Sequence, residues 1–187
     1  MNQAIQKHFI EANELLVDSF RLAKKIHSSG FKPDIIVGVW RGGTPIAIAV
    51  QEYFEYMQVP TDHIAIRTSS YFGIDKQDPN VKVHGLDYLI ENVSADYNIL
   101  LVDDVFDSGR SVKAIYEHIS IRLGQNTPYS IKTACPWYKP KRNQTDISPD
   151  FYLHETDDWL VFPHELIDLS TDEIKRHKAA LSASLLD

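Results

Sequence analysis

The stretch Ile99-Leu100-Leu101-Val102-Asp103-Asp104-Val105-Phe106-Asp107-Ser108-Gly109-Arg110-Ser111 decides how the rest of the chain is read. Its four consecutive aliphatic residues, Ile99 to Val102, predict a strand buried on both faces, the pattern of a parallel sheet covered by helices. Asp103 and Asp104 then stand at the carboxyl end of that strand, where open α/β sheets place their ligands. Beyond the polar turn Asp107 to Ser111, the spacing of Val112, Ala114, Ile115, Ile119 and Leu123 predicts an amphipathic helix. The N–H groups opening such a helix lack internal partners and sit at the positive end of its dipole. With two hydroxyls and a guanidinium they make a socket for a phosphate monoester. The acidic pair suits sugar hydroxyls or a hydrated Mg²⁺, and a ribose 5-phosphate offers both kinds of group.

Other readings of this stretch fare worse. A solvated acidic loop with Ser108 as an ordinary helix cap would not need all of these groups at once. A nucleotide-binding P-loop requires Gly-Lys-Ser/Thr, which occurs nowhere in the chain. Phosphatases that form an aspartyl-phosphate place one spacer between two acidic residues, whereas Asp103 and Asp104 are adjacent and Asp107 follows three residues later. An apolar strand, two acidic residues, two spacers and Asp-Ser-Gly-Arg-Ser resembles the phosphoribosyl pyrophosphate (PRPP) signature of type I phosphoribosyltransferases.

A second strand, Ile35 to Val39, ends in Trp40-Arg41-Gly42-Gly43-Thr44-Pro45 and leads into a helix reading IAIAVQEYFEYM. The glycines let the backbone approach a ligand closely, and Arg41 can hold two phosphate oxygens. Alone this is a tight turn. Beside the first stretch it is informative, because PRPP carries a pyrophosphate at one end and a phosphate at the other. The turn resembles the pyrophosphate loop of purine phosphoribosyltransferases, and the resemblance makes Trp40–Arg41 the candidate for a cis peptide bond.

Composition bounds these readings. The chain has 187 residues, 43% hydrophobic and 24% charged, which suits one soluble domain over 1–187. Its formal net charge of −7 argues against general nucleic-acid affinity. No apolar run approaches a membrane span, and the first residues do not read as a signal peptide. Cys135 is the single cysteine, which fits a cytoplasmic location and reads as a small buried hydrophobe. In Lys139-Pro140-Lys141-Arg142, Lys141 and Arg142 read as readily as a solvated loop as anything functional.

Elsewhere, Glu11 to Ser29 predicts a packing helix whose broad apolar stripe includes Leu15, Leu16, Phe20, Leu22, Ala23 and Ile26, with Gly30 as its C-cap. His63 to Arg67 predicts a short strand running into a polar lid over 68–80. Tyr88 to Val93 predicts a short helix, Tyr129 to Ala134 and Phe151 to His154 two strands, and Asp157 to Pro163 a last apolar piece. A terminal amphipathic helix is expected over 171–186.

The resemblance spans about residues 12 to 167 and implies an α/β fold. It would be a Rossmann-like parallel-sheet phosphoribosyltransferase core over about 12–135, with a small C-terminal hood over about 136–167. It further implies transfer of the phosphoribosyl group from PRPP to a 6-oxopurine, releasing pyrophosphate and a nucleotide. Asp107 would serve the purine N7 proton; Asp103 and Asp104 would orient the ribose and hold Mg²⁺, with Glu165 at the position of a further metal ligand. Ser108, Gly109, Arg110 and Ser111 would clamp the 5-phosphate. Trp40, Arg41, Gly42 and Gly43 would hold the pyrophosphate, and Ser69, Ser70 and Tyr71 would belong to the lid. Lys139 would meet the 6-oxo group, with Trp159 stacking on the base and the Leu160 backbone meeting its edge. Val161 stands where xanthine-guanine members have Glu, which favours hypoxanthine. A homodimer or homotetramer is expected. A PRPP-binding regulator of the same fold and a pyrimidine or orotate phosphoribosyltransferase are the alternatives; Lys139 and Trp159 speak for an enzyme acting on purines.

Overall fold

Ile99, Leu100, Leu101 and Val102 are all fully buried, as a strand covered on both faces requires. They belong to a computed structural model that describes residues 7–73 and 76–185, the side chains of 70–80 excepted. In chain order its elements are β1 (Lys7–Phe9), α1 (Ala12–Ser28), β2 (Ile35–Trp40), α2 (Gly43–Tyr56), β3 (Asp62–Gly73), β4 (Lys76–His84), α3 (Asp87–Asn92), β5 (Asn98–Val102), β6 (Val105–Phe106), α4 (Arg110–Leu123), β7 (Ser130–Tyr138), β8 (Phe151–Glu155), β9 (Trp159–Val161), α5 (Thr171–His177) and α6 (Ala179–Leu185). They form two compact units: Leu16–Asp157, and a smaller one made of the residues up to Leu15 and from Asp158 onward. Residues 136–157 of the expected hood therefore pack with the larger unit.

The larger unit is an α/β fold on one sheet, with strand order β4-β3-β2-β5-β7 and β8 beside β7. β2, β3, β5, β7 and β8 run parallel, and β4 pairs antiparallel with β3. β6 resumes pairing with β7 at Val105 opposite Trp137, in the register that β5 leaves at Val102 opposite Ala134. Alternation divides the central strands between two faces. Ile35, Val37, Val39, Ile99 and Leu101 pack with Leu89 of α3 and Val112, Ile115 and Ile119 of α4. On the opposite face α2 lies so close to β2 that a Cβ at Gly38 would come 3.0 Å from Ala47 Cβ. Truncating Leu101, fully buried in the first cluster, to Ala would cost about 2–5 kcal/mol.

Three expectations change. The stretch expected as a lid is mostly strand: β3 continues through Gly73, and Ser69 and Ser70 pair with Lys82 and Val81 of β4, with a register shift before Phe72. The antiparallel partner supplies the backbone hydrogen bonds that periodicity alone did not reveal. In α1, Leu16 and Phe20 are 50% and 39% exposed, while Asp18 and Ser19 on the inward face are buried. Asp18 tolerates burial because Arg21 donates to it at 3.0 Å and His154 contacts it at 2.6 Å. The terminal helix is broken into α5 and α6 at Lys178, whose ammonium donates to the Phe162 and Pro163 carbonyls at 2.7 and 2.9 Å.

In the smaller unit, β9 pairs in parallel with β1, Trp159 opposite Lys7 and Val161 opposite Phe9. Ser170 and Glu173 close a capping box at the start of α5, and Lys7 pairs with Glu173 at 2.7 Å. Among the described residues no helix is long and apolar enough to cross a membrane.

Candidate functional site

The register of β2 and β5 places Gly38 opposite Val102. Two residues further along the chain stand Trp40, at the end of β2, and Asp104, just past β5, so the Arg41 turn and the acidic pair meet at one carboxyl edge. The Trp40–Arg41 peptide bond is cis. Gly42 lies flush against the Asp104 carboxylate, leaving no room for a side chain, and a Cβ at Gly43 would come 2.7 Å from Asp103 Cα. Trp40 is 54% exposed. Arg41 is exposed and forms no ion pair among the described residues, which leaves its guanidinium available to an anion.

The acidic pair is under electrostatic tension. Burial and the neighbouring Asp104 carboxylate push the Asp103 carboxyl well above the usual carboxylate range. Asp103 Oδ1 accepts from the Asp104 N–H at 3.0 Å, and Asp104 Oδ1 accepts from the Val105 N–H at 2.8 Å. Among the described residues no group of three or more His, Cys, Asp or Glu gathers to hold a metal. Two adjacent, mutually repelling carboxylates fit a divalent cation whose remaining ligands are substrate oxygens and water. Glu165 lies in a turn of the smaller unit, its Oε2 accepting from the Phe162 N–H at 3.0 Å.

On the other side of Asp104 the chain builds a small cradle. Asp103, Val105, Phe106, Asp107, Ser108, Gly109, Ser111 and Val112 line a cavity of about 80 Å³ at the start of α4. Gly109 caps the helix at φ 75°, a left-handed conformation. A Cβ there would also come 2.5 Å from Thr145 Oγ1 and 2.9 Å from Asn143 Oδ1. The turn is backed by the loop after β7: Lys139 N–H donates to Phe106 O at 2.9 Å and Gln144 N–H to Ser108 O at 3.0 Å. Arg110, the first residue of α4, also lines a separate groove of about 510 Å³ with Lys82, Lys113 and His118.

Asp107, one of the residues lining the cradle, lies between two cations. Lys139 Nζ lies 3.3 Å from its Oδ2, and Arg142 Nε lies 2.9 Å from its Oδ1. The Lys139 side chain is only 4% exposed, so its charge is matched inside the protein. The fold thus brings Lys139 and Asp107 together, and it adds Arg142, which the sequence left open between a solvated loop and a functional residue. Lys141, by contrast, points to Asp157. Cys135 is buried, and burial pushes its thiol up, which fits an inert packing role.

The remaining candidates fall elsewhere. Ser69 Oγ contacts His84 Nε2 at 3.1 Å within the β3–β4 hairpin. The side chains of Ser70 and Tyr71 lie outside the described residues, although their backbone is part of β3. Trp159 is 45% exposed, whereas the Leu160 side chain is buried, leaving only its backbone to offer a ligand.

Comparison with known proteins places these features in one context. A family model for the phosphoribosyl transferase domain matches residues 10–169. A hypoxanthine-guanine phosphoribosyltransferase of Lactococcus lactis subsp. lactis is 27% identical over 153 residues, covering 81% of this chain and 77% of that protein. The crystal structure of a purine phosphoribosyltransferase from Pyrococcus horikoshii superposes with a TM-score of 0.70 at 27% identity, covering 88% of this chain and 97% of the other. A xanthine-guanine-hypoxanthine phosphoribosyltransferase of Helicobacter pylori shares the fold, with a TM-score of 0.69 at 20% identity over 92% of this chain and 99% of its own.

Proposed function

The chain belongs to the phosphoribosyl transferase domain family, and from that premise we propose that it transfers the 5-phosphoribosyl group of PRPP to a 6-oxopurine, hypoxanthine first, releasing pyrophosphate. The observation carrying the base assignment is the buried Lys139 ammonium against Asp107. An ammonium has three donors and no acceptor, so it suits a ring carbonyl and rejects an exocyclic amine. Relatives named for hypoxanthine, guanine and purine transfer support this reading.

Each end of the donor has its own receptor. Arg41 and the Gly42 and Gly43 amides receive the pyrophosphate and stabilise the charge it gains as the C1–O bond breaks. The Ser108 and Ser111 hydroxyls, Arg110 and the first-turn N–H groups of α4 receive the 5-phosphate. Asp103 and Asp104 take the ribose hydroxyls and would hold Mg²⁺, which when bound neutralises charge on the leaving group. Asp107 accepts the N7 proton of the incoming purine, or holds it by hydrogen bond, as the ring nitrogen bonds to C1. Fixing both ends of PRPP aligns C1 with that nitrogen. The assignment of Trp159 and Leu160 to the purine, and of the β3–β4 hairpin to shielding the sugar from water, rests on the resemblance.

The test is pyrophosphate release from PRPP and Mg²⁺ with hypoxanthine, guanine, xanthine, adenine, uracil and orotate. Turnover of hypoxanthine or guanine with no turnover of adenine is the expected result. Turnover of pyrimidines only would overturn the base assignment, and PRPP binding without any turnover would make the chain a regulator.

A further inference from the structure

Lys139 caps, and Arg142 ends, a single turn of 3₁₀ helix, Pro140–Arg142. That one turn brings the cap and the last residue back to the same carboxylate, while Lys141 between them turns away to Asp157. Pro140 at the first helical position presets the turn, and the Arg142 N–H closes it on Lys139 O at 3.0 Å. The two cations take opposite oxygens of Asp107, Arg142 on Oδ1 and Lys139 on Oδ2.

From this geometry we infer that Arg142 is a positioning residue that keeps Lys139 free for the base. The inference rests on the proposed transfer to a 6-oxopurine. Lys139 is needed at the purine carbonyl, yet its nearly buried ammonium also has Asp107 beside it. Without Arg142 the carboxylate turns both oxygens to Lys139 and draws the ammonium off the carbonyl. With Arg142 holding Oδ1 through a directed, charge-assisted N–H bond, Oδ2 shares one Lys139 hydrogen and leaves the others to the substrate. Arg142 acts through Asp107, whose Oδ1 it holds.

The test is steady-state kinetics of Arg142→Ala, Arg142→Gln and Arg142→Lys with hypoxanthine and PRPP. The alanine and glutamine variants are expected to lose about tenfold in kcat/KM for the base, the size of one charge-assisted hydrogen bond. Their KM for PRPP should stay within about twofold, and Arg142→Lys should recover part of the loss. In an Asp107→Asn background the Arg142→Ala change should have no further effect, as a coupled pair requires. Unchanged kinetics in all variants would make Arg142–Asp107 an inconsequential surface pair and overturn the inference. So would a parallel rise in KM for PRPP, which would place the effect on the phosphate turn, or a full loss persisting with Asp107→Asn. A wild-type protein that transfers to no purine overturns the proposed function itself, and is recognised before any variant is made.

Discussion

Gly42 and Asp104 are pressed together where the Arg41 turn meets the acidic pair: a methyl group on Gly42 would overlap the Asp104 carboxylate. Asp104 thereby becomes a shared wall, touching the Arg41 turn with its side chain while its own chain continues into the cradle at the start of α4. Overpacking of this kind costs about 1–3 kcal/mol. Gly42→Ala is accordingly expected to weaken PRPP binding by about tenfold to a hundredfold, read by titration calorimetry, while pyrophosphate-independent properties such as far-UV circular dichroism stay unchanged.

Gly109→Ala attacks the other turn by a different route. The residue must hold φ 75°, which costs a residue with a Cβ about 1–2 kcal/mol, and the new methyl would crowd Thr145 and Asn143. Binding of ribose 5-phosphate is expected to be lost, together with a drop of several degrees in melting temperature. A variant that melts normally and binds ribose 5-phosphate normally would show that the cradle is not the phosphate site.

In the proposed transfer, Asp107 separates binding from chemistry. Replacing it with Ala would strand the buried Lys139 ammonium, so Asp107→Asn, which keeps an oxygen for that cation, is the informative change. It is expected to lower kcat by about 10²–10⁴-fold and leave the Kd of PRPP within about threefold. Equal losses in both would contradict its assignment to the base.

The site was legible where its signals are local. The apolar run Ile99 to Val102, the acidic pair and the Asp107–Ser111 turn are adjacent in the chain, and each dictates its own geometry. Residues whose role depends on a distant partner were not legible. Arg142 gains meaning only through Asp107, far away in sequence, and Leu16 and Phe20 are apolar residues at helical spacing that the fold leaves exposed. Arg110 belongs to the same local signature and opens α4. The β3–β4 hairpin was missed because antiparallel pairing is a property of two segments, although the alternation in Val81-Lys82-Val83-His84 was a readable strand signal.

Asp103 links the site to stability. Its folded-state pKa is raised, so between the ordinary carboxylate range and that value the folded protein holds a proton the unfolded chain has released. Stability therefore declines as pH rises through that window. Asp103→Asn keeps an acceptor for the Asp104 N–H and has no charge to suppress. Without metal, it is expected to melt above the wild type at pH about 8 and close to it at pH about 4. A variant melting below the wild type at both values would show that the acidic pair carries no such strain.

One donor spanning both turns has a signature in fragment binding. Ribose 5-phosphate and pyrophosphate, titrated with Mg²⁺ by calorimetry, are each expected to displace PRPP and yet to bind together, with PRPP binding far more tightly than either alone. Fragments that exclude one another, or a PRPP affinity no better than that of ribose 5-phosphate, would contradict the account.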